Sequence, residues 1–115
     1  MIWLVFIIAE IYPMIEIEDY PARFAFGEMR EASIKFVAAK RAMERWQLIE
    51  QAIAGTPWLL SSGFSITDLA IANVSRWIDD KAWRAGNLPK IEAIHAGILL
   101  RPFAGKVWVQ HFGAA

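Results

Sequence analysis

The chain opens on an apolar run, Met1 to Ala9, and from Ile2 to Tyr12 only Glu10 interrupts the hydrophobic character. A helix of this kind is hydrophobic on every face and needs burial on every face. The pattern predicts a helix from Ile2 to about Ile17, interrupted near Pro13, because proline removes a backbone donor and crowds the turn before it. Asp19-Tyr20-Pro21 ends the segment. A long amphipathic helix follows from about Glu28 to Ala54. Within it Met29, Ala32, Phe36, Ala39, Met43, Trp46, Ile49 and Ile53 recur at steps of three and four, the period of one buried stripe. Gly55-Thr56-Pro57 closes it.

The sharpest local signal is Phe64-Ser65-Ile66-Thr67-Asp68-Leu69. Ser65 reads as the N-cap of a helix and Asp68 as its third residue, so side chain and backbone can satisfy each other reciprocally in a capping box. Phe64 before the cap and Leu69 at the fourth position have the spacing of a hydrophobic staple. The helix they start, Ile66 to about Asp80, carries Leu69, Ala70, Ile71, Ala72 and Val74 and is expected to be central and buried. Pro89 and Pro102 suit the first turns of two shorter helices. No alternation of the strand type occurs. The expected fold is all-α, an orthogonal bundle of about five helices.

With 115 residues, the chain has room for a single domain spanning 1–115. One face of an all-apolar first helix can meet the rest of so short a chain, and the other needs something else. The apolar run is about half the length a membrane span requires, and no basic stretch precedes it, so no membrane insertion and no signal peptide are expected. Twelve basic and twelve acidic residues cancel, and no basic stripe is present, which argues against nucleic acid as a partner. The absence of cysteine excludes disulfides and thiolate metal sites. A cytoplasmic location is the default expectation.

Few residues suggest chemistry. His95 and His111, the two histidines, lie far apart and without an acidic cluster, so no metal site is expected. Ser61, Ser62 and Ser65 lack the Gly-x-Ser-x-Gly setting of a nucleophile. Asp79 and Asp80 read as a solvated helix end. Of six tryptophans, Trp77 stands out beside Arg76 at the end of the central helix; helical spacing alone also makes it a core residue next to Val74 and Ile78.

Phe64-Ser65-Ile66-Thr67-Asp68-Leu69-Ala70, followed by Arg76-Trp77, resembles the capped central helix of glutathione S-transferase C-terminal domains. Trp3, Leu4, Phe6, Ile7, Ala9, Glu10, Ile11 and Tyr12 look like the helix that opens that domain, and Leu88-Pro89 and Arg101-Pro102 fall where its last helices begin. The resemblance runs from Trp3 to about Phe112. It implies a fold like that C-terminal domain, with the family's thioredoxin-like N-terminal domain, which supplies the catalytic residue, absent from this stretch. It also implies that Val5 and Tyr12 stand where bacterial beta-class members have an Asn and a His that reach glutathione, and that Trp77 matches a tryptophan of the hydrophobic substrate pocket.

The resemblance therefore assigns Val5, Ala9, Tyr12 and Trp77 to a substrate wall, Val5, Ala9 and Tyr12 lying at i, i+4 and i+7 on the first helix. No catalytic residue is expected in this chain, which alone should be inactive and bind no cofactor, glutathione being the co-substrate of the full-length enzyme. Its expected partners are the thioredoxin-like domain, a hydrophobic electrophile and a second copy in a homodimer. Two alternatives stand beside this reading: a free-standing helical interaction module, and a truncated remnant without activity.

Overall fold

The computed structural model describes residues 2–113, and among these the chain is helical with a single isolated β-bridge, Leu60 to Gly63. It divides into two compact units, residues 1–51 and residues 52–115.

The first unit holds two long helices. Helix α1 is a continuous run assembled from Ile2–Phe6, a π-helical turn Ile7–Ile11 and Tyr12–Asp19. Pro13 does not interrupt it, contrary to the expectation from sequence. The Tyr12 amide donates to the Ile7 carbonyl, five residues back, so the widened turn lies directly ahead of the proline and the rod continues past it. A short 3-10 turn, Pro21–Arg23, leads to helix α2, Glu28–Ala52. Glu10, the lone acid in the apolar run, pairs with Arg45 of α2 at 3.3 Å.

The stripe expected on α2 needs correction in its first half. Met29 is 84% and Phe36 71% exposed, and Ala32 is exposed as well. The buried set is Ala38, Ala42, Trp46 and Ile49. A helical period fixes spacing but not phase, and small alanines one position away satisfy the same period while letting neighbouring backbone come closer. Only from Trp46 onward do the expected and observed stripes coincide.

The second unit begins with a folded-back connection in which the Ala54 amide donates to the Leu59 carbonyl and the Gly55 amide to the Trp58 carbonyl, both at 2.9 Å. Four helices follow: α3 Ile66–Ser75, α4 Lys81–Asn87, α5 Pro89–Leu99 and α6 Pro102–Phe112. Helix α5 is the hub and packs against each of the other three. Its Ile91, Ile94 and Ile98, with Ile71 and Ala72 of α3, are fully enclosed. Among the described residues six helices therefore stand where about five were expected. The additional one, α4, forms because the Asp80 carboxylate caps it, accepting from the Trp83 amide at 2.9 Å. Correspondingly, α3 stops at Ser75 instead of running to Asp80.

Two glycines respond to this packing in opposite ways. A Cβ on Gly105 of α6 would stand 2.4 Å from the Leu99 carbonyl oxygen, whereas one on Gly86 of α4 would meet nothing within 4 Å. Gly105→Ala should destabilise the protein by about 1–3 kcal/mol, the cost of overpacking, because α5 and α6 must separate. Gly86→Ala should raise stability by about 0.4–1 kcal/mol through a less flexible unfolded chain. Urea denaturation of both variants checks the pair; shifts of the same sign would contradict the packing described.

Candidate functional site

The capping box is formed and reaches further than expected. Ser65 is extended, and its amide donates to Asp68 Oδ2 at 2.8 Å, while the Asp68 amide turns back toward Ser65. The second carboxylate oxygen, Oδ1, accepts from the Leu59 amide at 2.8 Å. Asp68 is completely buried and so ties the loop before the helix to the first turn of α3 through two charge-assisted hydrogen bonds. Both half-buried, Phe64 and Leu69 flank the box. The Phe64 ring meets Trp58 edge-on at 4.9 Å, and the Arg101 guanidinium lies 3.7 Å above it.

The residues assigned to a substrate wall fall in both units. Val5 is 58% and Tyr12 50% exposed, and Ala9 is exposed too, whereas Ile7 and Ile11 of the same helix are enclosed. The π-helical turn lies between Val5 and Tyr12, so the regular i, i+4, i+7 register does not hold across it; all three nonetheless reach the surface. In the second unit, Trp77 follows the end of α3 and is 39% exposed, with the Arg76 guanidinium 5.4 Å above its ring.

A cavity of about 700 Å³ in the second unit went unforeseen. It is lined by Arg76, Lys81, Arg84 and Glu92, by both histidines, His95 and His111, and by Trp108 and Phe112. The end of α3 builds its polar side. Lys81 Nζ donates to the Arg76 carbonyl at 2.6 Å, and an Arg84 guanidinium nitrogen to the Ser75 carbonyl at 3.3 Å, so cations satisfy carbonyls the helix leaves open. Arg84 is also ion-paired with Glu92. Burial, with Arg84 and Arg76 adding repulsion against the opposing pull of Asp79 and Glu92, holds the Lys81 ammonium below its ordinary range.

His95 packs edge-on to Trp108 at 5.7 Å, and its Nε2 lies 2.9 Å from Ser75 Oγ. Burial, followed by the Arg84 guanidinium, pushes the imidazole down to about 4; Lys81 and Arg76 act in the same direction and Glu92 opposes them. The Ser75–His95 pair has the elements of a nucleophile and base, but Ser75 is fully enclosed and also faces the Ala72 carbonyl. The contact is structural. Among the described residues, no three His, Cys, Asp or Glu groups converge as metal ligands, and no helix is long and apolar enough to cross a membrane. The cavity was hidden from sequence reasoning because its members come from α3, α4, α5 and α6. The one visible trace was the grouping of Arg76, Lys81 and Arg84 around a helix end.

Asp68→Ala leaves two amides without their carboxylate and should cost about 3 kcal/mol or more, since hydrogen bonds to charged groups contribute about 1.5–3 kcal/mol each. Ser65→Ala keeps both of those bonds and should cost about 0.5–2 kcal/mol. Equal losses in chemical denaturation would contradict the carboxylate's role as the tie. His95 supplies a pH test. The unfolded chain protonates this histidine below its ordinary value of 6.5, while the folded protein resists until about 4. The unfolded state thus binds more protons in that window, so stability is complete above it and falls as the pH drops through it. His95→Gln should flatten this part of the melting-temperature profile; an unchanged profile would mean that the folded imidazole titrates normally.

No protein-family model, no curated protein and no solved structure matches this chain.

Proposed function

We propose that this chain acts as the helical half of a glutathione S-transferase-like enzyme, supplying the wall against which a hydrophobic electrophile lies. The observation that carries the reading is the state of α1: Val5, Ala9 and Tyr12 are open to solvent on a helix that is apolar almost throughout. An apolar face of this kind calls for a covering surface, and a thioredoxin-like domain holding glutathione is the cover that the resemblance implies. The capping box with its buried Asp68 is formed and adds support, because the resemblance matches that residue to the aspartate of the family's capped helix.

On this reading Tyr12 orients the electrophile through its hydroxyl. The glutathione sulfur forms a bond to the electrophilic carbon, the leaving group departs with its electron pair, and the thiol proton passes to solvent. The groups that lower the thiol's pKa belong to the covering domain, and the enzyme works as a homodimer. A second reading, a module that docks a partner protein, draws on Phe26, Met29 and Phe36, all strongly exposed around the start of α2.

The test joins the chain to a glutathione-binding thioredoxin-like domain and measures conjugation of chlorodinitrobenzene. The chain alone should give no turnover, and the fusion should be active. Tyr12→Phe should lower kcat/KM of the fusion by about tenfold, equivalent to about 1.4 kcal/mol of transition-state stabilisation. The melting temperature should stay within about two degrees, whereas a core tyrosine losing its hydrogen bond would lower it by several. An active fusion indifferent to Tyr12→Phe would overturn the substrate-wall assignment.

A further inference from the structure

We propose that the cavity at the end of α3 is a binding site for a small aromatic carboxylate. This site lies wholly within residues 52–115 and does not depend on the reading of α1 given above. Its volume, about 700 Å³, is within the range of small-molecule sites. Three cationic side chains, Arg76, Lys81 and Arg84, line it against one carboxylate, Glu92, and that carboxylate is already engaged by Arg84. Lys81 uses one donor on the Arg76 carbonyl and keeps others, and the Arg76 guanidinium, which donates to the Asn73 side chain at 3.1 Å, also lines the cavity. The cations repel one another and one histidine stays neutral beside them, so a ligand anion would relieve an existing electrostatic strain.

The opposite wall sets the remainder of the ligand. Trp108 and Phe112 of α6 meet edge-on at 4.9 Å, and His95 also packs edge-on to Trp108, at 5.7 Å. The Arg76 guanidinium lies 3.9 Å above the Phe112 ring, so the cationic and aromatic walls join at that point. A planar ring bearing one carboxylate fits this division, its ring toward Trp108 and Leu99 and its carboxylate toward Lys81 and Arg76. Inorganic phosphate would use only the cationic side, and a neutral arene only the aromatic side.

Naphthoate is the probe, titrated into the whole chain by calorimetry and by tryptophan fluorescence, with naphthamide and inorganic phosphate as comparisons. One-to-one binding of naphthoate is expected, with naphthamide at least about tenfold weaker because it lacks the charge that pairs with the cations. Lys81→Met should weaken naphthoate binding by about fivefold or more, and Lys81→Arg should restore most of it. Ala96→Trp, placed on the lining, should abolish binding with the helical circular-dichroism signal retained. The proposal is overturned if naphthamide binds as well as naphthoate, if Lys81→Met leaves naphthoate affinity unchanged, if Ala96→Trp still binds, or if phosphate alone competes as strongly as naphthoate.

Discussion

The second unit depends on one buried charge. Asp68 is fully buried, and a carboxylate in that state is costly unless its oxygens are taken up by donors. Here both are: Oδ2 by the Ser65 amide and Oδ1 by the Leu59 amide, with the N-terminus of α3 providing a favourable dipole. The arrangement works only if the loop between Leu59 and Ser65 is folded against the helix start, so the carboxylate selects one loop conformation and one entry angle for α3. Everything that follows along α3, including where Ser75, Arg76 and Trp77 emerge, inherits its direction from that start.

The other end of the same helix mirrors it in sign. The carbonyls of Ser75 and Arg76 are met by Arg84 and Lys81, so an acid stands at the positive end and two cations at the negative one. The charge of the cavity therefore has a structural origin as well as a ligand-binding consequence. Lys81 and Arg84 close the helix, and in doing so they are held where they face His95, Trp108 and Phe112. Glu92 neutralises one of them by its ion pair with Arg84. What is left is a positive surface lined by side chains of α4, α5 and α6.

How far this was legible in the sequence varied with how local the cause was. The Ser65–Asp68 box could be read because its partners are three residues apart, yet the bond from Leu59 to the same carboxylate could not, since loops carry no periodicity. The long second helix was legible as a helix, but its buried side was misjudged before Trp46 because Ala38 and Ala42 satisfy the same period as Ala39 and Met43. Proline at position 13 was read as a break; a backbone that widens by one residue ahead of it leaves no mark in composition. The seven residues of helix α4 carry too little pattern to outweigh a glycine, although Asp80, the cap that makes the helix, stands in the sequence as an acidic helix end. The cavity required four helices to be in place before its residues became neighbours.

The open face of α1 can be weighed against what a partner must supply. Ile2, Val5, Ile8 and Tyr12 are each at least half exposed, and burying an aliphatic or aromatic side chain contributes about 1.5–3 kcal/mol. Covering the parts of these four that remain exposed would therefore release roughly 4–7 kcal/mol. Bringing two free proteins together costs an estimated 4–15 kcal/mol before any contact is counted, so this face alone leaves little for a stable complex between separate molecules. A cover carried on the same polypeptide faces a smaller cost, because its effective concentration is set by the linker and not by the solution. On these magnitudes the face suits a tethered domain better than a free docking protein. The exposed residues around the start of α2 would have to add their own area before a separate partner competed. The magnitudes thus bear on the kind of cover α1 can hold: a tethered one needs less contact area than a free one.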